Sequence, residues 1–184
     1  MMKKIIFFFA IATFSSLSLK AQEKINWISL EKAVELQKKT PKKILIDMYT
    51  VWCGPCKMLD KNTFGNKSVA NYINAHYYAV KFNAEGNEIL TFKGKRYENP
   101  NYDPKKAKRR NSAHQLARAL GVRAFPTIVF LNENADLVAP IKGYQTPKQL
   151  EVYLKLFKGE EYKKINSKED FTKYFDSFVY EFIE

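Results

Sequence analysis

The two cysteines of this 184-residue chain lie close together, in the segment WCGPCK at residues 52–57. The apolar run at residues 44–49 is typical of a buried strand, and apolar residues at helical spacing follow the segment. The pair Cys53 and Cys56 is therefore predicted to lie where a strand passes into a helix. This context indicates thiol–disulfide chemistry.

The predicted helix start suits a reactive thiol. Only the thiolate attacks a disulfide, and an ordinary cysteine has a pKa of ~8.5. Unpaired N–H groups at a helix N-terminus favour the thiolate, so Cys53 is the predicted nucleophile and is expected to be accessible. Cys56, one turn further on, is expected to be buried and to close a disulfide with Cys53. Pro55 fits the first helical turn, and Trp52 would cover the site.

The segment at residues 52–57 resembles the active-site signature of the thioredoxin family. Three other positions match. Asp47 resembles the buried carboxylate that helps to deprotonate the resolving cysteine, Lys81 resembles its lysine partner, and Pro126 resembles the cis-proline that faces the dithiol. The resemblance covers about residues 44–157. It implies an α/β thioredoxin fold, in which helices flank a central mixed sheet.

One departure separates the chain from most thioredoxins, which have a helix-kinking proline shortly after the motif. This chain has DKNTF at residues 60–64 instead. That pattern resembles the C-terminal domain of the membrane reductase DsbD, in which a second carboxylate tunes the nucleophile. Asp60 is at the matching position, and Lys57 is the other residue expected to tune the cysteine pKa. Gly54 and Pro55 remain thioredoxin-like, so the sequence combines features of both branches.

The resemblance implies a two-step exchange. Cys53 would attack a partner's disulfide, and Cys56 would resolve the mixed disulfide after Asp47, with help from Lys81, takes its proton. Exchange needs no cofactor beyond the Cys53–Cys56 disulfide, but it needs protein substrates and an upstream electron donor. The implied substrate-binding residues are Trp52, Gly54, Pro55, Phe125, Pro126 and Thr127.

Other functions remain open at this stage. The same fold serves disulfide oxidases and isomerases, and residue types alone do not set the redox direction. A binding module that uses the fold as a scaffold is a further alternative, although it would have no reason to keep a dithiol. Half a zinc site is disfavoured because the spacing of His76 and His114 fits no known zinc finger, so no metal is predicted. Both histidines are expected at the surface or its boundary.

The N-terminus is predicted to be a signal peptide. A basic start is followed by a 15-residue apolar stretch, which is short for a membrane span of ~20 residues, and Ala21 is a plausible cleavage point. An uncleaved anchor is the alternative. Cleavage removes three lysines and lowers the formal charge from +12 to +9. The prediction is an exported, periplasmic protein without stable membrane insertion, divided into a signal peptide at 1–21, a thioredoxin-like domain at 22–158 and a C-terminal helical extension at 159–184.

A basic insertion at about residues 86–111 is longer than the connection in compact thioredoxins. It is predicted to contain a small hairpin, a loop, and five cations within residues 105–110. The cations could dock an acidic partner, a membrane surface or a polyanion, or could simply be solvated. No aromatic stacking pattern accompanies them, so nucleic acid is not expected.

The C-terminal extension contains an amphipathic stripe that is predicted to be one helix, from Ser167 to about Ile183. The stripe is rich in phenylalanine and tyrosine and must be covered, either by its own domain or by a dimer partner. Elsewhere, predicted helix caps are Ser29, Asn66, Ser112 and the capping box at 146–149, and predicted strands are 44–49, 77–83, 127–131 and 136–141.

Overall fold

The computed structural model describes residues 24–182; the predicted signal peptide and Ile183 lie outside this range. The strands are β1 (Trp27–Ile28), β2 (Lys43–Tyr49), β3 (Tyr77–Asn83), β4 (Leu90–Phe92), β5 (Lys95–Tyr97), β6 (Thr127–Leu131) and β7 (Leu137–Lys142). The α-helices are α1 (Leu30–Gln37), α2 (Gly54–Met58), α3 (Lys67–His76), α4 (Gln115–Ala119), α5 (Pro147–Lys158) and α6 (Lys168–Asp176). A π-helix spans Leu59–Phe64, and 3₁₀ turns span Pro104–Lys106 and Glu161–Lys164.

The main sheet has five strands in the order β1-β3-β2-β6-β7. Strand β3 pairs in parallel with β1 and β2, whereas β6 pairs antiparallel with β2 and β7. Strands β2 and β6 lie inside the sheet and are buried along almost their whole length, and most of their residues are apolar, as expected for strands covered on both faces. The predicted α/β fold with a central mixed sheet is confirmed.

The sheet has a hydrophobic core on each face. Helices α1 and α4 and strand β4 pack on one face, and the π-helix, α3 and α5 pack on the other. Side chains alternate along β2, so that Ile46 and Met48 belong to the first core and Leu45 to the second. By the same alternation, Asp47 points toward the face that carries the π-helix.

Local capping chemistry explains most helix starts. Ser29, Asn66 and Thr146 cap α1, α3 and α5 as predicted, with the Thr146 capping box complete. The prediction for Ser112 is wrong, because α4 begins at Gln115 and its cap is His114. The Nδ1 atom of His114 accepts a hydrogen bond from the Leu116 N–H at 3.1 Å.

His114 is fully buried, so the expectation of a surface histidine is also wrong. Its Nε2 atom lies 2.8 Å from the Glu88 carbonyl oxygen, and its ring packs edge-on against Phe82. Because Nδ1 accepts a hydrogen bond, Nε2 carries the proton and donates to Glu88. The other histidine, His76, ends α3 and stacks near Tyr72. Within residues 24–182, no group of three or more histidine, cysteine, aspartate or glutamate side chains could hold a metal ion.

The predicted C-terminal helix is present but is shorter than the pattern indicated. Helix α6 ends at Asp176, and the chain from Phe178 to Phe182 is not helical. Phe171 and Tyr174 pack against the second core, and Phe182 returns to be buried within it. Val179 stays exposed, which breaks the stripe. The extension therefore covers its own domain.

A buried carboxylate anchors the end of this extension. Glu151 on α5 is fully buried and accepts hydrogen bonds from the backbone N–H groups of Glu181 and Phe182, at 2.8 and 2.9 Å. Lys155 lies 2.8 Å from the same carboxylate and 2.9 Å from Glu181. A buried carboxylate is stable only if it is hydrogen-bonded and paired with a cation, and these contacts provide both for Glu151. Across the described part of the chain, no helix is long and apolar enough to cross a membrane.

Candidate active site

The cysteine segment lies where β2 passes into α2, as predicted. Cys53 is the N-cap residue of α2, and its Sγ accepts a hydrogen bond from the Cys56 N–H at 3.1 Å. Pro55 is within the first turn. Helix α2 continues into the π-helix without a break, so the N-terminal end of an eleven-residue helical segment points at Cys53. Such an end stabilises negative charge on sulfur.

Cys53 and Cys56 form a disulfide. Both residues are buried, with 2% and 3% of their surface exposed. The expected burial of Cys56 agrees with the structure, whereas Cys53, which is expected to be accessible in the reduced protein, is buried in this disulfide form. Position at the helix start, rather than exposure, is what distinguishes the two sulfurs here.

A lysine between two carboxylates lies beneath this turn. Asp47 on β2 is directly opposite Lys81 on β3, and the Lys81 Nζ lies 3.4 Å from the Asp47 Oδ2. Lys81 also makes an ion pair with Asp60 of the π-helix. Its ammonium lies over the rings of Trp27 and Tyr49, at 5.4 and 5.2 Å from their centroids. The structure thus brings together three of the predicted site residues.

Asp47 has an unusual environment for a carboxylate. Burial raises its pKa to about 7, since the Lys81 charge only partly offsets the desolvation and the charge of Asp60 adds to the rise. Its Oδ1 atom has no hydrogen-bond partner among residues 24–182. A carboxyl group with this pKa can exchange a proton near neutral pH, as a general base must.

The Phe125–Pro126 peptide bond is cis, as the resemblance implied. Strand β6 runs antiparallel to β2 and pairs Thr127 with Met48. Pro126 therefore lies at the end of the sheet where β2 leads into the cysteine segment. Thr127 is buried and donates to the Ala124 carbonyl oxygen at 2.8 Å. The Phe125 ring meets the Trp52 ring edge-on, with centroids 6.1 Å apart. This aromatic pair joins the proline loop to the cysteine segment.

Trp52 has two further partners that the sequence analysis missed. Its indole N–H donates to the Glu85 Oε2 at 2.6 Å, and the Arg110 guanidinium lies 4.5 Å from its ring centroid. Arg110 belongs to the basic insertion at about residues 86–111, and Glu85 immediately precedes that insertion. Glu85 is buried and lies two residues after the end of β3, and an acidic residue so close to the end of a predicted inner strand is the feature of the sequence that could have indicated it. Lys57, predicted to tune the cysteine pKa, is exposed on α2.

The family model for a thioredoxin-like domain matches residues 30–158, which is more than half of the chain. The chain belongs to this family. It is 25% identical to the thiol-disulfide oxidoreductase ResA of Bacillus thuringiensis subsp. konkukian over 124 residues, covering 67% of this chain and 68% of that protein. It is 29% identical to Thioredoxin-1 of Drosophila melanogaster over 118 residues, covering 64% and 82% of the two chains.

Solved structures agree on the fold. A thioredoxin-fold protein from Helicobacter pylori superposes with a TM-score of 0.57 at 21% identity, covering 74% of this chain and 81% of that one. A putative disulphide-isomerase from Bacteroides thetaiotaomicron gives a TM-score of 0.50 at 26% identity, covering 74% and 94%. With the disulfide at the start of α2, family membership makes this chain a thiol–disulfide oxidoreductase.

Proposed function

We propose that this protein reduces disulfides of other proteins outside the cytoplasm, by exchange through Cys53 and Cys56. The observation that carries the proposal is a Cys53–Cys56 disulfide at the start of α2, directly after strand β2, which holds a carboxyl group with a pKa of about 7. An export route is supported by the signal-like pattern at residues 1–21.

The first step joins the two proteins. The Cys53 thiolate attacks one sulfur of the substrate disulfide, which forms a mixed disulfide and releases the other substrate sulfur as a thiolate. The N-terminal end of helix α2 stabilises the negative charge of this thiolate. Trp52, Phe125 and the backbone beside Pro126 would contact an extended substrate segment, together with the exposed residues Gly54 and Pro55. Thr127, also expected to bind substrate, is buried, so its side chain would not contact that segment.

The second step releases the substrate. Asp47, assisted by Lys81, accepts the proton of Cys56, whose thiolate then attacks the Cys53 sulfur. The Cys53–Cys56 disulfide forms and the second substrate sulfur leaves as a thiolate. Two electrons pass to the substrate, and its two thiolates take protons from Asp47 and solvent. An upstream dithiol must then reduce the protein again, and no cofactor takes part. Asp60 and Lys57 would adjust the cysteine pKa through their charges.

The reduction potential tests the direction. We expect equilibration with glutathione buffers to give a value near that of thioredoxin, about −270 mV. A potential between about −120 and −180 mV would instead make the protein an oxidant or an isomerase. Replacing Asp60 with Asn and Lys57 with Gln, singly, should shift the potential if these charges act on Cys53. N-terminal sequencing of the protein from a periplasmic extract tests export, and an intact Met1 in a membrane fraction would indicate an anchor instead.

A further inference from the structure

The insertion carries a short basic arm, defined here as residues 99–111. It contains five cations and one carboxylate, and all of the residues from 105 to 110 are exposed. As a sequence, this run could be a solvated loop. A solvated loop, however, needs no fixed conformation and no connection to the reactive cysteines.

The arm is held in place at both ends by buried or half-buried amides. Asn111 bridges to Asp103 twice, since its Oδ1 accepts from the Asp103 N–H at 3.0 Å and its Nδ2 donates to the Asp103 carbonyl at 2.9 Å. Asn99 is buried and donates to the carbonyl oxygens of Gly86 and Ser112, at 3.0 and 2.8 Å. The surface that the arm presents is therefore preformed, which reduces the entropy cost of binding.

The arm is also tied to the redox site. The Glu85 Oε2 accepts hydrogen bonds from the Trp52 indole and from the Asn111 backbone N–H, at 2.6 and 2.8 Å. Arg110 lies over the face of the same indole. Trp52 precedes Cys53 and contacts Phe125, the residue before the cis-proline. A series of side-chain contacts thus connects the arm, through Trp52, to the cysteine segment and the proline loop.

Most of the arm's charge is not neutralised. Lys106 lies 3.7 Å from Asp103. Among residues 24–182, no carboxylate oxygen lies within 4.0 Å of the side-chain nitrogens of Lys105, Lys108 or Arg109. Exposed unpaired cations fixed beside a reactive site attract anionic groups and raise the rate of encounter.

We propose that the arm binds an acidic segment flanking the substrate disulfide, and so selects which proteins this dithiol reduces. This inference rests on the proposed function. The occupant is a protein segment rather than a lipid surface, because a membrane lying against the arm would cover the same face that a substrate must approach to reach Cys53. Aspartate or glutamate side chains would pair with Lys105, Lys108 and Arg109 while the adjacent disulfide meets Cys53.

The test compares two peptides, each with one internal disulfide, that are identical except for four flanking residues. These are aspartate and glutamate in one peptide and serine and asparagine in the other. Single-turnover reduction by the reduced protein needs no further electron donor. We expect the acidic peptide to react about tenfold faster in 20 mM salt, and the advantage to fall to about twofold or less in 300 mM salt.

The arm variant Lys105→Glu/Lys108→Glu/Arg109→Glu should lose the preference while reducing the neutral peptide at the wild-type rate. These side chains are exposed, so the fold is expected to survive. A preference that persists in this variant, or that is absent from the wild-type protein, overturns the proposal.

A matched control separates a local effect from net charge. Lys38→Glu/Lys164→Glu/Lys168→Glu makes the same change in charge at exposed positions away from the cysteine segment. It should keep the acidic preference, and equal loss in both triple variants would show that overall charge, not the arm, is responsible.

Two further measurements distinguish the remaining outcomes. If neither peptide is reduced, the proposed function fails. The arm is then tested alone by fluorescence anisotropy, which measures whether the oxidised protein binds an acidic peptide whose cysteines are replaced by serines. Wild-type binding that the arm variant loses would support the arm as an acidic-segment site, and no binding would refute it. Vesicles containing 30% phosphatidylserine test the lipid alternative, which replaces ours if they bind through the arm and the peptide preference is absent.

Discussion

Replacing Asp47 with Asn should stabilise the protein, and should do so increasingly as the pH rises. Asp47 is almost fully buried, and burial raises its pKa from 3.8 to about 7. Between these two values the folded protein holds a proton that the unfolded chain releases. The unfolded state then binds fewer protons, so the stability of the wild-type protein falls as the pH rises through this range.

The size of the effect follows from the shift. Each pKa unit corresponds to about 1.36 kcal/mol, so the cost is absent below pH 3.8 and reaches about 4 kcal/mol above pH 7. The Asn variant has no such cost. Lys81 keeps its ion pair with Asp60, so the substitution does not leave a lysine without a partner. Between pH 4.5 and pH 8, the difference in unfolding free energy between the two proteins should change by about 3 kcal/mol in favour of the variant.

Urea unfolding of the oxidised proteins at several pH values measures this difference, because the disulfide-bonded cysteines do not titrate. Asp60→Asn is the matched control. Asp60 belongs to the same ion-pair cluster, but its side chain is 40% exposed, so solvent screens it and its removal should change stability by less than about 1 kcal/mol. A difference for Asp47→Asn that does not vary with pH would refute the raised pKa and the burial argument behind it.

Three other outcomes are expected. Brief iodoacetamide treatment of the reduced protein near neutral pH should label Cys53 before Cys56, because the helix end favours its thiolate; mass mapping that finds Cys56 first would reverse the proposed roles. Asp47→Asn should slow resolution of the mixed disulfide at pH 7 by at least about tenfold, and its formation less; an unchanged resolving rate in stopped-flow experiments would remove Asp47 from the mechanism. Truncation after Gly159 removes the backbone donors to the buried Glu151 and should lower the free energy of unfolding by more than about 2 kcal/mol. Thermal melting and light scattering test this, and an unchanged melting temperature and oligomeric state would mean that the tail is neither core nor interface.

The features that could be predicted from the sequence are those set by neighbouring residues. Apolar runs in the sequence correctly predicted strands β2 and β6. The Thr146 capping box was also predictable, because it depends on two residues only three positions apart. The pairing of Asp47 with Lys81 came from the family resemblance, and strand register explains it, since the two are directly opposite on adjacent strands.

Features that depend on distant partners could not be predicted in this way. Glu85 lies 33 residues from Trp52, and only the folded insertion brings Asn111 to the same carboxylate oxygen. His114 caps α4 because packing against Phe82 buries it, which no local pattern indicates. A stripe with helical spacing continued past Asp176, but Glu151 holds the following backbone in a non-helical conformation.

Reduction of insulin disulfides, followed as turbidity with dithiothreitol as the electron source, tests the central claim most directly. The wild-type protein should accelerate precipitation well above the rate with dithiothreitol alone. Cys53→Ser should show only that background rate, because it lacks the attacking cysteine and the remaining Cys56 has no partner with which to form a disulfide. If the wild-type protein is no faster than Cys53→Ser, the chain does not reduce protein disulfides through this pair, and the account is contradicted.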